Sequence, residues 1–244
     1  TANVSGPASN QTGGATPTNR GVDINPSDIE SITLLKGPAA TALYGISAAS
    51  GAIIITTKRG GAGGTNISFN SSVTFDKVSQ LPGRQNLYSQ GSHGLYAGPK
   101  GNSTRNQSWG AAIDTLSWDG NSNIWDPHGN IVGNSSPLAK IPVKPYNPYD
   151  FFQTGKTYNN NIAISGGNNK TGFRLSLGNL HQTGIIPTSE YVKTTLSLNG
   201  QSAISDRFSV SGGIDYINST NNKVQQGSNV SSIMLGLLRT PPTF

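Results

Sequence analysis

The chain has 244 residues, of which 33% are hydrophobic and only 11% are charged, and it contains 31 glycines and no cysteine. A soluble globular domain has about 25% charged residues. The net charge of +6 is not gathered into a basic run with interleaved aromatic residues, which argues against nucleic-acid binding. The lack of cysteine excludes disulfides, thiolate metal sites and cysteine nucleophiles, and no apolar run is long enough for a transmembrane helix.

The first compact unit of the chain lies between residues 29 and 58. Ile29–Lys36 is predicted as a strand, and a short helix follows that begins at Pro38 and ends at Gly45. Ala52–Thr57 is β-branched and bounded by turns, which is typical of a strand buried on both faces. The connection between the two strands is long enough for a parallel crossover, so we expect a βαβ unit.

A glycine-rich joint, RGGAGG at residues 59–64, separates this unit from a region of a different texture. Five segments follow in which apolar and polar residues alternate, as in strands with one apolar face and one polar face. These segments are residues 67–78, 158–167, 171–180, 192–203 and 208–217.

Charged residues inside these segments fall on the polar face. Arg174 alternates with Phe173 and Leu175, and Lys193 and Asp215 occupy equivalent positions in later segments. A transmembrane β-barrel requires this segregation, because a lipid-facing Arg or Lys at the bilayer midplane costs about 2–4 kcal/mol. A soluble β-sandwich would show the same alternation with inside and outside exchanged, so alternation alone leaves both folds open.

The connections between the segments favour the barrel. Short links at residues 167–170 and 204–207 alternate with longer ones at 181–190 and, above all, at 79–157, which holds all three tryptophans. Outer-membrane barrels have short periplasmic turns and long outer loops. A compact soluble domain rarely has so long a connection.

The stretch DIESITLLKGPAATALYGISAASGAIIITTKRG, residues 28–60, resembles the end of the plug domain in SusC/RagA-like TonB-dependent outer-membrane transporters. Further resemblance lies in LYSQGSHG at 87–94, FFQTG at 151–155, GIIP at 184–187 and LGLLRTPPTF at 235–244. The plug signature positions are Asp28, Glu30, Lys36, Gly37, Pro38, Tyr44, Gly45, Gly51 and Lys58. We expect Asp28 and Glu30, which precede Lys36, to belong to a polar network that holds the plug.

The resemblance implies a mainly β fold: a transmembrane antiparallel barrel of about 22 strands with an α+β plug inside its lumen. Residues 1–60 would be the C-terminal part of the plug, and residues 61–244 the first five or so strands of the barrel. The segment 79–157 would be a long extracellular loop. The glycines at 60–64 would form a flexible joint between plug and wall, and we expect this sequence to be part of a much longer protein.

The function implied by the resemblance is TonB-dependent import of a glycan or oligopeptide across the bacterial outer membrane, in Bacteroidota. The implied partners are a SusD-like lipoprotein lid, the TonB–ExbB–ExbD complex and outer-membrane lipid, with no nucleic acid. Aromatic residues of the long loop are candidates for contacts with substrate or lid: Tyr88, Tyr96, Trp109, Trp118 and Trp125. The alternatives are a signal-transducing receptor on the same scaffold and a soluble, secreted carbohydrate-binding β-sandwich.

No constellation of residues predicts an enzyme or a cofactor site. Asp126, His128 and Asp150 are scattered along one long loop, which is poor evidence for a metal site. The three histidines share no local arrangement with an acid and a serine, so no nucleophilic triad is predicted. RGGAGG lacks the Lys-Ser/Thr ending of a phosphate-binding P-loop.

Overall fold

A computed structural model describes residues 20–61, 63–98, 107–124, 126–224 and 232–243. The chain divides into two compact units. The sheet unit contains residues 20–76 and 154–223, and the loop unit contains residues 77–153 and 224–243. In chain order the elements are β1 (Ile29–Leu35), α1 (Pro38–Tyr44), β2 (Ala52–Thr57), β3 (Gly63–Asp76), β4 (Gly91–Ser92), β5 (Leu95–Tyr96), β6 (Leu116–Trp118), β7 (Ile131–Gly133), β8 (Ile141–Pro142), β9 (Gly155–Gly167), β10 (Thr171–Thr183), β11 (Glu190–Ser205), β12 (Phe208–Asn222) and α2 (Ile233–Arg239).

The first two strands form an antiparallel hairpin, with Ile29 opposite Thr57 and Leu35 opposite Ala52. The predicted parallel βαβ arrangement is therefore wrong. A helix as short as α1 rises only about 10 Å, whereas the preceding strand extends about 23 Å, so the helix cannot carry the chain back to the start of β1. The chain instead reverses at Gly51, whose φ is 104° and where a Cβ would lie 3.0 Å from the carbonyl oxygen of Leu35.

The hairpin is also less buried than the sequence predicts. Ile32 of β1 and Ile53 of β2 are 62% and 66% exposed, so β2 is not buried on both faces. The β-branched composition of β2 fixed its strand conformation, but a two-stranded hairpin has too little surface to cover its own apolar side chains.

The five long strands form one antiparallel sheet in the order β3-β9-β10-β11-β12. This confirms the five alternating segments. The links within it are three residues between β9 and β10, two between β11 and β12, six between β10 and β11, and residues 77–154 between β3 and β9. Strand order follows chain order because each link joins neighbouring strands.

The faces of the sheet are reversed relative to a soluble protein. Cross-strand pairing lines up apolar rows over all five strands, one of which joins Phe69, Ile162, Leu177, Leu196 and Tyr216. These apolar side chains are exposed, Phe69 to 67% and Leu196 to 42%, whereas Arg174, Ser176 and Lys193 on the other face are buried. The predicted placement of charges on the polar face is confirmed for Arg174 and Lys193.

Asp215 also lies on the polar face, where its carboxylate accepts a hydrogen bond from the hydroxyl of Ser197. Ser197 is directly opposite Asp215 in the pairing of β11 with β12.

Neither α1 nor α2, the α-helices in the described part of the chain, is long and apolar enough to cross a membrane, a result that does not bear on spanning by β-strands.

The loop unit has the ordinary arrangement of a water-soluble fold. Its core consists of Ile113, Leu116 and Val143, each 5% exposed, with Tyr96 and Trp118 packed against it. The small sheet β7-β6-β8 provides Leu116 and Trp118 from its central strand. The segment predicted as a long loop is thus partly folded, with short strands that enclose a core of their own.

Candidate functional site

Asp28 forms a buried ion pair with the sheet. Its Oδ1 lies 2.9 Å from Nη2 of Arg174, and both side chains are 9% exposed. The hydroxyl of Ser176 donates to Oδ2 of Asp28 at 2.7 Å. A buried charge is strongly unfavourable unless it is paired and hydrogen-bonded, and here both carboxylate oxygens have a donor.

A capped turn brings Asp28 to this position. Oδ1 of Asn25 accepts from the backbone N–H of Ser27 at 3.1 Å, which caps the single 3-10 turn Pro26–Asp28 just before β1. Proline at the first position of this turn has its φ already fixed. The Asn-Pro-Ser-Asp sequence therefore determines where the carboxylate of Asp28 is directed.

Further polar contacts join the same segment to the next strand. Nδ2 of Asn25 donates to Oγ1 of Thr195 at 3.4 Å, and Nζ of Lys193 donates to the carbonyl oxygen of Ile24 at 3.4 Å. Asp23 interacts electrostatically with Lys193. Acidic residues of segment 23–28 thus face cationic residues of β10 and β11, which is the complementarity expected of an interface without an apolar core.

Lys58 connects the end of β2 to the start of β1. Its backbone N–H donates to the carbonyl oxygen of Asp28 at 2.8 Å, and its Nζ donates to the carbonyl oxygen of Ser27 at 2.9 Å. The signature residue Lys58 therefore fastens the open end of the hairpin beside the ion pair.

Gly60 is held directly against the sheet. Nε2 of Gln201 donates to its carbonyl oxygen at 3.0 Å, and a Cβ at Gly60 would lie 2.0 Å from the carbonyl oxygen of Phe173. Only glycine allows the two backbones to approach this closely. The expected freely flexible joint is therefore wrong at Gly60, although Gly61, Gly63 and Gly64 are exposed.

The other signature residues shape the hairpin rather than the polar network. Gly37 and Gly45 flank α1 with φ values of 55° and 72°. Pro38 begins α1 and Tyr44 ends it. Glu30 and Lys36 are exposed, and among the described contacts Asp28 is held by Arg174, Ser176 and Lys58. These partners of Asp28 on the sheet could not be foreseen, because no local pattern links Asp28 to a strand about 146 residues later.

The candidate aromatic residues of the loop unit divide into exposed and packed ones. The rings of Tyr88 and Trp109 lie 5.6 Å apart at 43°, and Trp109 is 63% exposed. Tyr96 and Trp118 pack against the core, and burial together with the charge of Asp126 raises the pKa of Tyr96. Trp125 lies outside the described residues.

Gln85 holds the exposed pair in place. Its Oε1 accepts from the backbone N–H groups of Leu87 and Tyr88, at 3.0 and 2.9 Å. Its Nε2 donates to the carbonyl oxygens of Tyr88 and Ser108, at 2.9 and 2.7 Å. Both aromatic segments are thereby fastened to one side chain, so Tyr88 and Trp109 present a fixed surface.

Asp119 organises the turn that precedes β7, and the sequence interpretation did not identify it. Its Oδ1 accepts from the backbone N–H groups of Asn121 and Asn130, at 2.9 and 3.0 Å, and its Oδ2 accepts from Nδ2 of Asn130 at 3.0 Å. These hydrogen bonds lower the pKa of Asp119 to about 2, and the largest contribution comes from the side chain of Asn130. The Asp-Gly-Asn sequence at 119–121 is the signal that could have indicated such a turn.

The metal candidates do not converge. Nδ1 of His128 lies 3.0 Å from Oδ1 of Asp126, but Asp150 instead accepts from Nδ2 of Asn147 at 2.8 Å. Within the ranges that the structure describes, no three His, Cys, Asp or Glu side chains are grouped as metal ligands would be. Another pair, His181 and Glu190 at 2.8 Å, joins β10 to β11.

Comparison with known proteins agrees with these features. No protein-family model matches the chain. The TonB-dependent receptor SusC of Bacteroides thetaiotaomicron is 29% identical over 222 residues, which cover 90% of this chain and 18% of that protein. A TonB-dependent receptor of Formosa agariphila is 31% identical over 176 residues, which cover 72% of this chain and 14% of that protein.

Solved structures of similar fold include the RagAB peptide importer in its closed-closed and open-open states, with TM-scores of 0.57 and 0.59. In both, 22% of residues are identical, and the match covers 91% of this chain and 25% of the other. The chain spans less than a fifth of the length of the two curated relatives. Sequence and fold lead to the same conclusion, and the chain belongs to the SusC/RagA-like TonB-dependent transporters.

Proposed function

We propose that residues 1–60 are the C-terminal part of a plug and residues 61–244 the first part of the barrel wall in an outer-membrane importer. The observation that carries this proposal is the reversed sheet. Part of its polar face, on β10 and β11, is buried beside the segment that contains Asn25 and Asp28, and its apolar face is exposed. An apolar surface of this extent on a long-stranded sheet suits contact with lipid acyl chains.

The sheet supplies the wall of a barrel of about 22 strands, the class whose lumen is closed by a plug. The outer edges of β3 and β12 pair with further strands, because a bilayer does not tolerate unpaired backbone groups. The apolar exposure argues against a soluble β-sandwich, in which Phe69, Leu175 and Leu196 would be covered. The relatives are receptors and importers rather than enzymes, which supports a role without catalysis.

The cargo is a glycan or an oligopeptide, captured together with a SusD-like lipoprotein and moved by force from the TonB–ExbB–ExbD complex. One solved relative is a peptide importer and the first curated one is SusC, and these support the two cargo classes. Segment 79–157 faces the cell exterior, where the exposed pair Tyr88 and Trp109 is best placed to touch cargo or lid.

Cell fractionation tests this function. We expect the native protein in the outer-membrane fraction, extracted only by detergent, with a gel mobility that shifts on heating as folded barrels do. The SusD-like partner should co-purify, and cargo uptake should stop in cells without TonB. Recovery in the soluble fraction without detergent, or uptake independent of TonB, would contradict the proposal.

A further inference from the structure

The contacts between plug segment and wall are concentrated at one end of the hairpin. Asp28 reaches Arg174 and Ser176, Lys58 reaches Asp28 and Ser27, and Gly60 lies on Phe173. All three wall residues belong to one short stretch of β10. At the opposite end of the hairpin, Leu43 and Ile46 are 69% and 88% exposed.

These contacts are coupled to one another. Ile29 pairs with Thr57 in the hairpin, and the next backbone hydrogen bond runs from Lys58 to Asp28 at 2.8 Å. Two residues later, Gly60 is held by Gln201 and by the backbone of Phe173. The backbone at Asp28 can therefore move away from β10 only if the end of β2 detaches or Gly60 moves off the wall.

The chemistry of the site also favours a closed contact. The Asp28 and Arg174 side chains are each 9% exposed, so separation in place would leave two buried charges without partners, which is strongly unfavourable. Gly60 leads within three residues into β3, which is itself part of the wall. The covalent chain thus holds the same end of the hairpin that the ion pair holds.

We infer that Asp28, Lys58 and Gly60 form a permanent anchor, with Arg174 as its positioning residue on the wall. The anchor stays closed while cargo passes, and the parts of the plug that move lie away from this end of the hairpin. This inference rests on the proposed import function and adds to it the fixed point against which TonB pulls.

Thiol labelling in living cells tests the anchor. Ser176→Cys, in the native protein and in growing cells, places a thiol under Asp28, and a fluorescent maleimide is the probe. We expect low labelling that is equal in cells with and without TonB. Ser211→Cys is the matched control, because Ser211 is exposed and lies opposite Gln201 on the same polar face; it should label several-fold more.

A second variant shows that the probe reports the contact. Asp28→Ala combined with Ser176→Cys removes the ion pair, and labelling should rise towards that of Ser211→Cys in both strains. The anchor is overturned if Ser176→Cys alone labels strongly only when TonB is present, or if Asp28→Ala leaves labelling low. If the wild-type protein is absent from the outer-membrane fraction, the proposed function is refuted instead, whatever the labelling of the variants.

Discussion

The sheet unit and the loop unit place their apolar side chains in opposite ways: the sheet unit exposes them and the loop unit buries them. In the sheet unit, Arg174 and Ser176 are buried while Phe69 is 67% exposed. In the loop unit, Ile113 and Leu116 are buried at 5% exposure. The same chain therefore contains an exposed apolar surface, which suits contact with hydrocarbon, and a buried apolar core, which suits a fold surrounded by water. Hydrophobic patterning defines which residues share a face, and the surrounding solvent decides whether that face points inward or outward.

The largest effect is expected when arginine is placed on the apolar face of the sheet unit, because this directly tests whether that face contacts lipid. Leu175→Arg with Leu196→Arg places two charges where lipid is expected, at a cost of about 4–8 kcal/mol if the two penalties add at the midplane. We expect the proposed heat-modifiable barrel to be lost from the outer membrane. Gel mobility before and after heating measures this.

The matched control places the same charges on the polar face, as Asn199→Arg with Ser211→Arg. These positions face Gly213 and Gln201 across the β11–β12 pairing. The control should assemble at nearly the wild-type level. Equal loss in both double variants would mean that the two faces of the sheet do not differ in their surroundings.

A smaller effect, confined to the loop unit, is expected from Leu116→Ala. Leu116 is 5% exposed in the core with Ile113 and Val143, and such truncations cost about 2–5 kcal/mol. The loop unit should become sensitive to protease added outside intact cells, while the barrel still assembles.

Leu87→Ala is the control for this change, because Leu87 is 72% exposed and surface substitutions usually change stability by less than about 0.5 kcal/mol. Its protease sensitivity should match the wild type. If Leu116→Ala instead prevents barrel assembly, the two units are not energetically separate as the comparison holds.

The smallest effect concerns pH and Asp119. Its pKa in the folded protein is about 2, below the ordinary value of 3.8, so the ionised carboxylate stabilises its turn at pH values above that ordinary value. This contribution is lost as pH falls from 3.8 towards 2. The protection of the Asn121 and Asn130 amides against hydrogen exchange, measured relative to an unstructured peptide at the same pH, should fall in that range.

Asp119→Asn keeps the shape of the side chain and removes its titration. In this variant the two amides should exchange faster at neutral pH, with little further change on acidification. A variant that retained the acid-dependent loss of protection would assign that loss to another group.

Several features could be predicted from local sequence because their causes are local. The alternation in 171–180 predicted that Phe173 and Leu175 share a face and that Arg174 lies on the other. Proline and glycine predicted the ends of α1 correctly. The antiparallel hairpin was missed, because the connection length permits a crossover but does not reveal that the helix within it is too short.

The candidate site likewise has features that the sequence predicted and features that it did not. The plug signature marked Asp28 and Lys58, and the polar contacts of Asp28 are of the kind expected for the predicted network. Glu30 was predicted for that network too, yet it is exposed. Asp119 and Gln85 were missed because each also bonds a backbone group 11 or 23 residues away, at Asn130 and Ser108, and such contacts leave only a weak trace in sequence.

The sequence by itself determined the family, the five alternating strands and the segregation of charge from apolar residues, because these depend on residue order and on the two-residue period of a strand. Only the tertiary structure decided which wall residues hold Asp28 and that Gly60 is fixed rather than free. Those contacts join residues far apart in the chain. Their geometry is set by the pairing register of β10 and β11 and by how closely the backbone of Gly60, which has no side chain, can approach the backbone of Phe173.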